Sequence, residues 1–250
     1  MKKTTPLKLA FAAVAIATVA FSGSVFAATV TMSYTEYAGP GSNPDATLNG
    51  VSQVDAWTVN AAGTSGSYGT TLNGTPAWVI WGSSGAGNLI TQTHAFVGGA
   101  LTVGQTVSID YAHAYHIDAG LTVGINLLSA SGTEVSLFLK GGDNNFQYSD
   151  TGGHSGYLAA TYGDTLNTFQ TFSFTLTGAN SYSATFDGGL GNFSGTFTGA
   201  SITGIQVFND NAGGSSDQFS AKLNIVPEPT TIGLLLGGAG LLAFVRRRRS

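Results

Sequence analysis

Large apolar side chains along this chain return every second residue, in short runs divided by glycine, asparagine and aspartate. Val107, Ile109 and Tyr111 alternate with polar neighbours, and Leu121, Val123, Ile125 and Leu127 do the same. The pattern returns at Val135, Leu137 and Leu139, at Phe172, Phe174 and Leu176, and at Tyr182, Ala184 and Phe186. It closes with Phe193, Gly195 and Phe197, and then Phe219, Ala221, Leu223 and Ile225. Successive side chains of a strand point to opposite faces, so each run is a strand with one buried face. Turn chemistry stands between the runs: Gly141-Gly142-Asp143-Asn144-Asn145, Asp187-Gly188-Gly189 and Asn209-Asp210-Asn211-Ala212-Gly213-Gly214. The middle of the chain shows no long amphipathic helix and no tight repeat of the kind a β-helix needs. Many short strands at regular spacing predict an all-β fold, an antiparallel sandwich of jelly-roll type. Residues 28–104 are less regular, with strands marked by Trp57, Val59, Trp78, Ile80 and Trp81.

Only 9% of the residues are charged, and glycine accounts for 36 of 250. A flexible linker shares that profile, but it lacks the large apolar groups that offset the entropy cost of ordering. Here Phe, Tyr and Trp make up 11% of the chain and recur throughout. The segment 28–226 is 199 residues long, which suits one domain with a sizeable core. It has no cysteine, which excludes disulfides, thiolate metal sites and a cysteine nucleophile.

Charge is unevenly placed. Segment 28–226 has no arginine and two lysines, Lys140 and Lys222, against twelve acids, a formal charge of −10. Nucleic acid is thereby excluded as a partner, since its phosphates demand a cationic face. Cations, neutral sugars and other surface proteins remain.

Neither end of the chain reads as part of the fold. Lys2, Lys3 and Lys8 precede an apolar run over 9–21, and Val25-Phe26-Ala27 supplies a cleavage site. Residues 1–27 therefore read as a signal peptide cut after Ala27, handled by signal peptidase and the general secretion machinery. At the other end stand Pro227, Glu228 and Pro229, an apolar run over 230–245, and then Arg246, Arg247, Arg248 and Arg249. Sixteen residues make a helix of about 24 Å, short for a span. The arginines would stay cytoplasmic as a stop signal, and the two prolines hold Glu228 in extended chain.

This tail, residues 227–250, resembles the PEP-CTERM signal of exported Gram-negative proteins. The resemblance implies a single transmembrane sorting helix and an exosortase as partner. It implies that the precursor waits in the inner membrane and is processed near Pro-Glu-Pro. The sorting system accompanies exopolysaccharide production, so the destination it implies is the cell surface or extracellular matrix. It covers the tail alone and assigns no activity to residues 28–226.

Within that ectodomain the densest polar cluster runs from Asp110 to Asp118. Tyr111, His113, Tyr115 and His116 are its candidate glycan-binding residues, because aromatic rings stack on sugar faces; His116 with Asp118 also suits a divalent metal. A second cluster, Asn209, Asp210, Asn211 and Asp217, offers oxygen ligands in a glycine-bearing loop and is the candidate calcium site. Residues 202–225 there loosely resemble the closing part of lectin-like jelly rolls. A third cluster, Asp143, Asn144, Asn145, Tyr148 and Asp150, suits calcium or a sugar hydroxyl. No cofactor is required by any motif. The glutamates Glu36 and Glu134 are the only ones available for a glycosidase pair, and no nucleophile elbow is present. The leading expectation is a non-enzymatic module that binds exopolysaccharide or organises a matrix. The alternatives are a self-associating structural or adhesion protein and a glycan-active hydrolase.

Overall fold

The structure is a computed structural model. It describes residues 28–33, 45–48, 51–52 and 57–226, except 84, 86, 97–98, 115, 188, 211 and 213–215. The signal-peptide and sorting-helix expectations, for 1–27 and 227–250, lie outside the described residues.

The strands are β1 (Ala28–Ser33), β2 (Asp45–Leu48), β3 (Val51–Ser52), β4 (Thr58–Ala61), β5 (Ser65–Leu72) and β6 (Thr75–Gly82). Then come β7 (Leu89–Ala95), β8 (Thr106–Ala114), β9 (Thr122–Ser129), β10 (Gly132–Lys140), β11 (Asn145–Asp150) and β12 (Ser155–Thr161). One helical turn, α1 (Tyr162–Thr165), precedes β13 (Gln170–Gly178), β14 (Ser181–Phe186), β15 (Gly191–Thr196), β16 (Gly204–Asp210) and β17 (Asp217–Val226).

They form two antiparallel sheets, a β-sandwich as the alternation predicts. One sheet runs β15-β14-β13-β8-β17-β1-β2-β3, with the β5–β6 hairpin also docked on β17. The other runs β12-β11-β10-β9-β16-β7-β4. The period-two residues fill the space between: Ile109, Phe172, Phe174 and Phe186 from the first sheet, and Ile125, Leu127, Leu137 and Val207 from the second, all essentially inaccessible. Full burial of such a side chain is worth about 1.5–3 kcal/mol relative to exposure. At one edge the sheets are stitched together by the Ala160 N–H, which donates to the Leu190 carbonyl at 2.5 Å.

The last strand is an inner one. Asp217 to Ser220 pair with β6 on one side and β8 on the other, while Val30 to Ala28 take the place of β6 from Leu223 to Ile225. The change of neighbour falls at a bulge between Ala221 and Asn224, where Lys222 has φ +43°. Left-handed backbone at a non-glycine residue is the local cost of that switch. Phe219 and Ala112 point away from the main core and pack with Val79 and Tyr68 in a small second cluster on the outer face.

A candidate glycan pocket at the loop end

Three segments far apart in sequence meet at one end of the sandwich. They are the turn after β8, the β10–β11 turn and α1, and they enclose an open pocket of about 220 Å³. His116, Ile117, Leu139, Lys140, Gly141, Gly142, Asp143, Asn144 and Tyr162 line it. Gly141 is required by close approach: a Cβ there would lie 2.0 Å from the Asp118 carbonyl oxygen. Backbone bonds fix the walls. Gly141 N–H donates to Leu121 O at 2.9 Å, and Tyr162 N–H donates to Asn144 O at 2.8 Å. The Asp143 carboxylate accepts from Gln147 Nε2 at 2.6 Å. Thr161 donates through both its N–H and its hydroxyl to Asp164 Oδ2, at 2.6 and 2.7 Å, which pins the start of α1.

The expected glycan residues divide. His116 is exposed at the pocket rim, and Tyr115 lies outside the described residues. Tyr111 and His113 have no accessible surface, so neither can stack on a sugar; this corrects the expectation. Both faces of β8 are covered from Tyr111 to Ala114, so strand alternation there does not mark a wet side. The Tyr111 hydroxyl donates to Gln218 Oε1, and burial pushes its pKa far up. His113 lies beneath the pocket floor, its ring 4.5 Å from that of Tyr162 and its Nδ1 2.8 Å from Thr165 Oγ1. Burial lowers its pKa to about 4, so it is neutral at pH 7. Burial also raises the Tyr162 pKa, which keeps that phenol protonated. The strand ends at Ala114, so His116 and Asp118 share no strand face with Asp110.

The candidate calcium donors among the described residues do not converge. Asn209 is fully buried and closes its own loop, donating from Nδ2 to Ser216 O at 2.6 Å and accepting from Ala212 N–H at 3.0 Å. Asp217 lies on the other sheet, accepts from Tyr68 OH at 2.8 Å, and has its pKa raised by burial, which disfavours the charged ligand form. Asp210 ends β16 on the outer face, and Asn211 lies outside the described residues. No group of three or more metal-ligating His, Asp or Glu side chains occurs among the described residues.

Glu134, the carboxylate that a hydrolase would need, is inaccessible and committed to the fold. Its two oxygens accept from Ser129 Oγ and Thr151 Oγ1 at 2.6 Å each and from Gly199 N–H at 3.1 Å. Burial pushes its pKa up, but these three bonds outweigh burial and the pKa is lowered. Asp150 of the third cluster is tied similarly by the His154 N–H at 2.8 Å and the Tyr182 hydroxyl at 2.9 Å. The sequence placed His116 and Asp143–Asn144 in separate clusters; the pocket joins them. It adds Lys140 and Tyr162, for which no sequence signal exists.

Residues 226–249 match the PEP-CTERM protein-sorting motif. The motif marks an exported protein that is held at the membrane and then processed, and it is recognised by exosortase. No helix among the described residues is long and apolar enough to cross a membrane. No curated protein matches the chain. Among solved structures it is similar to the cellulose induced protein Cip1, at 11% identity and a TM-score of 0.50, over 68% of this chain and 90% of that one. It is also similar to the binding domain of botulinum neurotoxin serotype C1, at 10% identity and a TM-score of 0.51, over 85% of this chain and 52% of that one. The serotype D binding domain matches at 10% identity and a TM-score of 0.50, over 80% of this chain and 48% of that one. This chain thus spans about half of the neurotoxin domains. At these identities the likeness is one of fold: an antiparallel β-sandwich of the jelly-roll kind.

Proposed function

We propose that this protein is a cell-surface or extracellular-matrix module that binds exopolysaccharide without turning it over. In this reading residues 1–27 are removed on export, and 227–250 hold the precursor in the inner membrane until exosortase acts at Pro227-Glu228-Pro229. The sandwich, 28–226, is then delivered outside. The loop-end pocket carries the binding claim. An aromatic ring, an imidazole, an ammonium and an amide line it, groups that stack on a sugar face and bond its hydroxyls. Its lining holds one carboxylate, Asp143, where glycoside hydrolysis takes two. At about 220 Å³ it is smaller than the ~300–1,000 Å³ of sites that engulf a drug-sized ligand, so it suits one ring or a chain end.

Co-sedimentation with the host's exopolysaccharide tests this. Saturable binding is expected, weakened about fivefold by Tyr162→Ala. Absence of saturable binding, or a Tyr162→Ala variant that binds as well as wild type, would overturn the pocket as the site. Replacing Pro227, Glu228 and Pro229 by alanine should leave precursor in the inner membrane; normal release would sink the sorting claim.

Self-association is the second reading, and one observation favours it. Strand β5, eight residues with no charge and no proline, pairs only with β6 among the described residues. Such an edge is a template for another chain. Sedimentation velocity should then show size rising with concentration and falling back in Thr70→Lys.

A further inference from the structure

The outer face of the seven-stranded sheet carries two adjacent rows unlike the rest of this acidic domain. In one, register places Ser136, Asn126, Gln206 and Thr93 side by side on β10, β9, β16 and β7. Their side chains form a continuous ladder. Ser136 Oγ donates to Asn126 Oδ1 at 2.8 Å, Asn126 Nδ2 to Gln206 Oε1 at 3.0 Å, and Gln206 Nε2 to Thr93 Oγ1 at 3.0 Å. In the next row Phe138 and Phe208 flank Gly124 on either side. A Cβ on Gly124 would lie 2.2 Å from the Leu137 carbonyl oxygen, so the position stays glycine, buried between the two half-buried rings. Two strand spacings set the ring-bearing strands about 9.6 Å apart. At the edge of this row stands Tyr157, 68% exposed.

Across all seven strands these two rows contain no charged residue, in a domain that holds twelve acids. Charge begins in the row beyond, where Lys140 and Asp210 flank Thr122. An anionic or cationic polymer finds no counter-charge here. What the face presents is oriented amide and hydroxyl groups beside apolar rings. Bonding along the ladder fixes the rotamers before any ligand arrives, which lowers the entropy cost of binding. Six strand spacings give the strip a length of about 29 Å, long enough for several sugar units laid end to end.

We propose that a neutral, linear polysaccharide lies across the strands of this face, its hydroxyls bonded to the Asn126–Gln206 ladder and its C–H faces on Phe138 and Phe208. The proposal rests on the glycan-binding reading above but assigns a second surface, remote in kind from the pocket, and a ligand class. The test uses the full-length protein in detergent micelles, with a soluble neutral β-glucan and a polyuronate as probes in titration calorimetry. Gln206→Ala and Phe208→Ala should each weaken β-glucan binding about fivefold. Raising NaCl to about 0.5 M should leave it unchanged. Gln206→Ala keeps the readout should Phe208→Ala fail to fold. β-Glucan binding that survives both face variants but is lost in Tyr162→Ala overturns this surface and leaves the pocket standing. Polyuronate binding that depends on Gln206 overturns the neutral class. A dimer that dissolves in Phe208→Ala makes the face a contact between copies, again against the proposal. If neither polymer binds wild type, the glycan reading itself fails and this inference with it.

Discussion

Glu134 shows how a chemically suggestive side chain becomes structural once its neighbours are known. Three donors converge on its buried carboxylate, so Glu134→Ala leaves the Ser129 and Thr151 hydroxyls and the Gly199 N–H unpaired. The expected cost is about 3 kcal/mol of stability in denaturant unfolding, with glycan binding unchanged in the folded fraction. Its pKa and that of Asp150 are lowered in the folded state. Their contribution is therefore present above the unfolded values of about 4 and is lost as pH falls below them. Glu134→Gln should flatten that acid limb. Tyr111 and His113 make the complementary point: sequence recorded aromatic and imidazole chemistry on a strand, but α1 and the β17 side chains that bury them come from over fifty and a hundred residues away. Nothing local to residues 110–118 carries that information.

Single elements were legible where burial is one-sided. From β8 to β14 the period-two runs fall on the strands because the inter-sheet core selects every second residue. Elements held by tertiary contacts escaped: α1 is one turn of Tyr-Gly-Asp-Thr, stabilised by Asp164 and by packing on His113 rather than by propensity. That packing has a pH signature. In the unfolded chain His113 titrates near 6.5, whereas in the fold it stays neutral down to about 4. The unfolded state binds the extra proton between those values, so stability should fall by about 2–3 kcal/mol as pH drops through that window. His113→Gln should remove the slope, as read from melts at pH 7 and pH 4.5. In β9, Gly124→Ala should destabilise by about 1–3 kcal/mol, since the clash is with the β10 backbone, which cannot swing aside. The calcium expectation finds no converging set of donors among the described residues. Asparagine and aspartate in a glycine-bearing loop signal a turn first, and Asn209 uses its oxygen to build that turn.

For the whole molecule, the sandwich class followed from pattern, but which strands share a sheet and lie side by side did not. The pocket joins residues 116–117, 139–144 and 162 only because β8, β10 and α1 end at the same rim. Strand order also decides when folding can finish. β17 lies between β8 on one side and β6 and β1 on the other, yet it is the last strand among the described residues and ends one residue before Pro227. A chain truncated before Asp217 should give no cooperative melt, because β1 and the β5–β6 hairpin would lose the strand that joins them to β8 among the described residues. During export the N-terminal strands therefore reach the far side of the membrane with an open seam at the middle of their sheet. The β1–β2 and β5–β6 pairs would wait, unjoined to β8, for the ten residues of β17 to emerge. Low charge on β5 and a missing centre make that interval the time of greatest exposure to aggregation. The domain locks only as the sorting tail itself arrives.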